Sequence, residues 1–435
     1  MESLKPYDTI EVKIKKDNKT TIIKGIVMPK EEDDAKNEIC IRMENGYKTG
    51  LILDKNTTVK KTGHVNETPT TIKKSENTPD KNNQKILFIS TGGTIASKID
   101  YKTGAVIAKF TARELEEKVP QLKEIAQPEA KTIFSEMSEN LTPKHWETIA
   151  KEIALNLKRK DIAGVIIMHG TDTLGYTASA LSFILKDIGK PVCIVGAQRS
   201  SDRGSSDTFM NLICASHIAV GNFAGVFCVM HANTDDNYCS VIKGTRARKM
   251  HSSRRDAFKS INENPVAYVW QDGKIKNITN SKKRDNNLQT KIVGNLRPEV
   301  MLIKTYPDLN PSVIDYAIQN KTCGIIIEGT GLGHVCTKGE NNFLPYFKKC
   351  AKLNIPVIMT TQTVYGRTNP YVYSALRHIA DTSVIYAEDM ISETAYIKLK
   401  WVLSQTKDMH EIKKMMLNNF AGEISERSEI VDDES

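Results

Sequence analysis

Lys85-Ile86-Leu87-Phe88-Ile89-Ser90-Thr91-Gly92-Gly93-Thr94-Ile95-Ala96-Ser97 is the stretch from which the fold is read. Its first half is an almost unbroken apolar run, the pattern of a strand covered on both faces in a parallel sheet. Its second half is a Gly-Gly turn, where a backbone without Cβ atoms bends sharply and comes close to a ligand. Open α/β sheets place ligands at the carboxyl ends of their strands, so the threonines of this turn stand where a site is expected. A plain strand-to-loop turn is the alternative reading. The turn is no P-loop, because GxxxxGK[ST] does not occur in the chain.

On the C-terminal side, helix and strand signals alternate. Thr142-Pro143 opens a helix with a cap and a proline at its first position. Trp146, Ile149, Ala150, Ile153, Ala154 and Leu157 give that helix one apolar face. Buried strands are expected over Gly164–Met168, Pro191–Val195 and Ala224–Met230, and the alternation argues for an α/β domain over residues 85–285. A second α/β domain, residues 293–416, has strand signals at Val300–Ile303, Gly324–Ile327, Pro356–Met359 and Ser383–Tyr386. Helices are expected over Ser392–Leu403 and Met409–Asn418. The polar stretch Gln271 to Thr290 reads as a crossing segment between the domains, and residues 417–435 as a C-terminal tail.

On the N-terminal side the pattern is short and β-like. Thr9–Ile14 alternates apolar and polar residues, and Thr21–Met28, Glu38–Met43 and Thr49–Leu53 follow as further runs. Residues 1–62 are expected to form a small β-barrel and 63–84 a polar linker.

Composition bounds the function classes. The chain has 435 residues, 40% of them hydrophobic and 26% charged, as an ordinary globular protein of two or three domains would. No apolar run approaches the roughly 18 residues of a membrane span. The start, Met1-Glu2-Ser3-Leu4-Lys5-Pro6, lacks an apolar signal core, so a cytoplasmic protein is expected. The eight cysteines form no CxxC pair and read as reduced core residues; no metal site is expected. A net charge of +9 permits an acidic partner such as RNA without establishing one.

Two further loops carry chemistry. Met168-His169-Gly170-Thr171-Asp172-Thr173-Leu174-Gly175 sets a hydroxyl beside a carboxylate at the start of a helix, whose N–H groups can hold an oxyanion. Helix capping by Thr171 and Asp172 is the plainer account, and His169 reads as a packed turn residue rather than a base. Lys243-Gly244-Thr245-Arg246-Ala247-Arg248-Lys249-Met250-His251 offers a lysine that serves as a base if burial or neighbouring cations hold it neutral. A solvated basic loop is the alternative.

Taken together, these loops resemble the L-asparaginase/glutaminase family, whose signatures TGGTIA and HGTDT stand at Thr91–Ala96 and His169–Thr173. Gly196-Ala197-Gln198-Arg199 is similar to the family's GAMR segment, with Gln198 in place of Met. The resemblance covers Lys85 to Met416. It implies an asparaginase-like two-domain parallel-sheet enzyme preceded by the small barrel. It also implies that Thr94 is the nucleophile, Thr171 and Asp172 the second threonine with its acidic neighbour, and Lys249 the family lysine, from its spacing to Phe258. Ser138-Glu139-Asn140 matches the segment that grips the substrate's α-carboxylate and α-amine, with Glu139 where the family has Gln. Gly93 and Gly170 would contribute backbone contacts, and Tyr101 is the candidate tyrosine of a mobile lid.

Gly25–Pro29, Asn45–Gly50, Gln198–Arg203 and Ala421–Ser428 resemble the D-subunit branch of the family, that of archaeal tRNA-dependent amidotransferases. This implies hydrolysis of glutamine to glutamate and ammonia, with no cofactor in this chain. A partner, the E-subunit, would use ATP and Mg to convert Glu-tRNA(Gln) to Gln-tRNA(Gln), and a homodimer core within a heterotetramer is expected. Contact of the tRNA with this chain, directly or through the partner, stays open. So do two other functions: a free-standing L-asparaginase with an added domain, and an inactive tRNA-binding scaffold.

Overall fold

A computed structural model of the chain describes residues 4–5, 7–16, 19–27, 38–43, 48–64, 84–92, 98–99, 106–107, 115, 119–199 and 206–428. The N-terminal part is a five-stranded antiparallel sheet. Asp8–Lys16, next to one edge, pairs with the central strand Lys19–Val27 on one side and with Thr57–His64 on the other. Glu38–Met43 and Lys48–Ile52 extend the first side. Ile10, Val12, Val27, Ile39, Ile41 and Leu51 form a separate small core. Among the described residues no pairing joins the two outer strands, so the expected barrel stands as an antiparallel sheet. Its last strand runs to His64, through residues whose polar character reads as linker. The fully buried Asp8 carboxylate explains the extension: it takes Lys61 at 2.7 Å and His64 at 2.8 Å.

The next unit is built on an eight-stranded sheet. Five strands run parallel, in the order Gly225–His231, Pro191–Val195, Ile162–Met168, Lys85–Ser90 and Gln127–Thr132. The apolar run of Lys85–Ser90 is explained by its two faces. Leu87 and Ile89 pack with the helices Pro143–Leu157 and Leu174–Ile184, while Ile86 and Phe88 pack with the helix Thr208–Val220. Full burial of each such side chain stabilises the fold by roughly 1.5–3 kcal/mol.

The other edge departs from the parallel sheet expected. Tyr238–Lys243, Ala267–Trp270 and Ile275–Asn277 add on antiparallel. Only a short turn separates His231 from Tyr238, too few residues for the crossover a parallel neighbour needs. Ile275–Asn277, inside the polar crossing segment, ends the sheet, and polar residues suit an edge strand.

A four-stranded parallel sheet follows, with Val300–Lys304, Gly324–Gly329, Val357–Thr361 and Ile385–Tyr386 in chain order. Ile326, Ile358 and Ile385 share one core with Leu181 and Trp401, so the two α/β sheets are welded through the helices Leu174–Ile184 and Ser392–Leu403. Cys193, Cys214, Cys228, Cys239 and Cys350 are buried thiols, but Cys323 and Cys336 are exposed, against the expectation of core residues. No helix among the described residues is long and apolar enough to cross a membrane.

Candidate active site

The carboxyl ends of two neighbouring parallel strands build the site. Lys85–Ser90 runs into Thr91, whose N–H and Oγ1 both donate to Met168 O, at 3.2 and 3.0 Å. The two glycine-threonine loops are thereby tied together at their roots. Gly92 sits at φ +108°, and a Cβ there would lie 2.4 Å from Glu136 O, so only glycine fits. Gly93, Thr94 and Tyr101 lie outside the described residues.

Thr171 and Asp172 are not helix caps. The helix begins at Leu174 after Thr173, whose hydroxyl donates to Ser138 O at 2.6 Å. Both side chains meet Lys249 instead. Lys249 Nζ lies 2.9 Å from Thr171 Oγ1 and 2.7 Å from Asp172 Oδ1, across 78 and 77 residues of sequence. Lys249 is held there by a short antiparallel pairing in which its cross-strand partner is the buried Phe258. The order of groups is hydroxyl, amine, carboxylate, which is the order of a nucleophile, its base and the group that orients the base.

Arg246 and Arg248, read from sequence as cations beside the lysine, are engaged elsewhere. Arg246 is buried and paired with Asp389 at 3.0 Å, and Arg248 pairs with Glu393 at 3.3 Å. Arg248 precedes Lys249 in the strand and so faces the opposite way, while Arg246 lies in the turn just before the strand.

His169 is a packed residue. It is fully buried, its Nδ1 lies 2.6 Å from Gly170 O, and Thr177 Oγ1 lies 2.8 Å from its Nε2. A carbonyl only accepts, so Nδ1 carries the proton and Nε2 accepts from Thr177, whose oxygen accepts in turn from Trp146 Nε1 at 2.9 Å. Burial pushes the imidazole down to about 4, so it is neutral at neutral pH. The chain of bonds fixes the Gly170 carbonyl and with it the turn into Thr171.

Ser138 begins a short 3₁₀ turn and is buried, while Glu139 is exposed. A Cβ on Gly170 would lie 2.8 Å from Ser138 Cβ, so this segment packs directly on the Gly170–Thr171 turn.

Sequence reasoning missed the supports of the Gly196–Arg199 loop. The buried Asp207 carboxylate accepts the N–H groups of Gln198 and Arg199 at 3.0 and 2.9 Å. Asn211 Nδ2 donates to Gly196 O at 3.1 Å, and Gly196 abuts Thr171, where a Cβ would lie 2.7 Å from Thr171 Cγ2. Asp207 stands just before a helix and reads as a cap; nothing in the sequence marks Asn211. Among the described residues no group of three or more His, Cys, Asp or Glu is placed to hold a metal ion.

Comparison with known proteins bears on this geometry. Residues 85–283 match the family described as "Asparaginase, N-terminal", residues 299–416 the "Glutaminase/Asparaginase C-terminal domain", and residues 4–61 the "GatD N-terminal domain". The chain is 44% identical to the D-subunit of glutamyl-tRNA(Gln) amidotransferase from Pyrococcus horikoshii, over 96% of this chain and 94% of that one. It is 40% identical to the protein of the same name from Methanosarcina acetivorans, over 93% and 96%. Among solved structures it is similar to the thermostable L-asparaginase from Thermococcus kodakarensis, with a TM-score of 0.70 and 33% identity over 79% of this chain and 100% of that one.

Proposed function

The chain belongs to the asparaginase family, in the branch of the glutamyl-tRNA(Gln) amidotransferase D-subunits, and on that premise we propose that it hydrolyses glutamine to glutamate and ammonia for a partner protein. The observation that carries the reading is Lys249 bridging Thr171 and Asp172. A threonine oxygen attacks the side-chain amide carbonyl, the amide nitrogen takes up a proton and leaves as ammonia, and an ester is left on the enzyme. Water then cleaves the ester to glutamate and restores the hydroxyl. Thr94 Oγ makes the attack, and its proton passes by way of Lys249, oriented by Asp172 and Thr171, to the leaving amide nitrogen. Gly93 and Gly170 supply backbone contacts to the oxyanion, and removing one such donor typically costs about 3 kcal/mol. Ser138 and Glu139 receive the α-carboxylate and α-amine, and Tyr101 closes over the substrate.

The released ammonia serves the partner E-subunit, which holds ATP and Mg and converts Glu-tRNA(Gln) to Gln-tRNA(Gln). This chain holds no cofactor, works in the cytoplasm, and forms the homodimer core of a heterotetramer. Thr94→Ala, Thr171→Ala and Lys249→Ala each abolish ammonia release from glutamine. Near-normal release by all three variants overturns the site. Likeness to an L-asparaginase fold supports a second reading, a free-standing asparaginase. Turnover of asparagine and glutamine, with and without partner and charged tRNA, separates the two: dependence on both partner and tRNA supports the amidotransferase.

A further inference from the structure

A cleft of about 740 Å³ opens at the opposite end of the eight-stranded sheet from Thr171. Gly225, the first residue of its strand, lies in the cleft wall, whereas the candidate active site stands at the carboxyl ends. A strand of this length spans roughly 20 Å at about 3.3 Å per residue, so the cleft is separate from the hydrolytic centre. Its volume falls in the range of small-ligand sites, about 300–1,000 Å³.

The charge balance of its walls is uneven. Lys186, Lys243 and Lys282 line it, with Asp187 as the one acidic residue. Asp187 is engaged by Lys291 at 3.4 Å, and Lys243 is engaged by Glu263. Glu423, whose field reaches Lys186, is taken by the buried Lys398 at 2.6 Å. The ammonium groups of Lys186 and Lys282 have no ion pair or hydrogen bond among the described residues. Lys186 is instead wedged against two rings, 4.8 Å from the Trp401 centroid and 4.7 Å from the Phe420 centroid. Burial holds its ammonium below the ordinary lysine range, and Lys282 pushes it the same way. Two cations that disfavour one another, one of them half-buried, are kept together facing a cleft. Asn280 and Ser281 add neutral hydrogen-bonding groups beside them, and Phe420 adds an aromatic wall.

We propose that this cleft binds a phosphorylated ligand of nucleotide size, with Lys186 and Lys282 on the phosphate and Phe420 against the base. A phosphate relieves the mutual repulsion of the two ammonium groups, and its oxygens can accept from Asn280 and Ser281. The ring wall matches a flat base better than it matches a bare anion. Such a ligand comes either as a free nucleotide or as the phosphorylated end of an RNA strand. The inference does not depend on the hydrolytic reading.

Calorimetric titration of the full-length chain with AMP and with pyrophosphate, at low ionic strength, tests it. Saturable binding is expected, tighter for AMP, and weakened about tenfold or more in Lys186→Met and in Lys282→Met, the scale of one lost charged hydrogen bond. Glutamine hydrolysis by both variants should match the wild type. Lys282 is exposed, so its variant keeps the test valid even where Lys186→Met disturbs packing. Competition of a 5′-phosphorylated RNA tetramer with AMP assigns the site to an RNA end; AMP binding without that competition assigns it to a free nucleotide. Absence of saturable binding of either probe, or equal affinity in Lys282→Met, overturns the proposal.

Discussion

At the scale of the residue, the proposed reaction assigns the chemistry to three side chains that meet, Thr171, Asp172 and Lys249, and Lys249 would act through its head group alone. Lys249→Met keeps most of the methylene stem, across the strand pair from Phe258, while removing the nitrogen shared by Thr171 and Asp172. Positioned proton transfer contributes typically 10²–10⁴-fold, so kcat should fall by about that much with the melting temperature little changed. A parallel loss of melting temperature and rate would instead mean that the lysine braces the loops. His169 gives a second prediction at this scale, with its sign fixed by burial. The folded imidazole titrates at about 4 and the unfolded one near 6.5, so above pH 6.5 both states are neutral and the residue adds no pH dependence. As pH falls below 6.5 the unfolded chain takes up a proton that the folded chain refuses, so stability drops until about pH 4 and then levels. The difference of about 2.5 units corresponds to about 3 kcal/mol. Denaturant unfolding of wild type and His169→Gln between pH 7 and 4 should show the wild type losing stability more steeply; equal slopes would contradict a buried neutral ring.

Whole elements set where these residues stand, and here glycine decides. Gly92→Ala puts a methyl 2.4 Å from Glu136 O in a backbone conformation that alanine resists. The strain is about 1–3 kcal/mol, and the chain relieves it by shifting the turn that leads into Thr94. The expected result is a kcat loss larger than the stability loss accounts for; retention of full activity would mean that the turn does not govern the nucleophile proposed here. What the sequence disclosed at this scale follows from burial. Lys85–Ser90 and Ile162–Met168 are covered on both faces, so their apolar runs are unmistakable. Thr57–His64 and Ile275–Asn277 end their sheets and carry polar residues, so the last two residues of the first read as linker and the second as part of a crossing segment. Thr171, Asp172 and Lys249, which the structure brings together, were legible as candidates because their loops resemble a family. The partners of Arg246 were not, because Asp389 lies 143 residues away and only the tertiary fold brings it near.

Across the whole molecule, the C-terminal segment closes the structure over the strand that bears Lys249. Thr245 Oγ1 donates to Ala421 O at 3.0 Å, and Arg246 reaches Gly422 O at 2.9 Å and Ser425 Oγ at 2.8 Å, just ahead of the Ala247–Lys249 strand. That segment is itself pinned by Glu423, fully buried, which accepts the N–H groups of Phe420 and Ala421 and pairs with the equally buried Lys398. Lys398 also donates to Met416 O and Asn418 O, so its charge is held in a cage with one counter-ion. Glu423→Gln keeps the shape and an acceptor for the backbone groups but leaves the ammonium uncompensated. Breaking a buried pair in this way costs roughly 3–5 kcal/mol. Lys398→Met with Glu423→Gln removes both charges and should recover a large part of that loss. Because Thr245 and Arg246 grip the same segment, the single variant should also lower kcat for glutamine, and the double variant should restore it alongside stability. Unfolding free energy unchanged in Glu423→Gln would show that the ion pair is not what seats the segment. Stability lost with kcat intact would show that the segment seats the core but not the lysine strand.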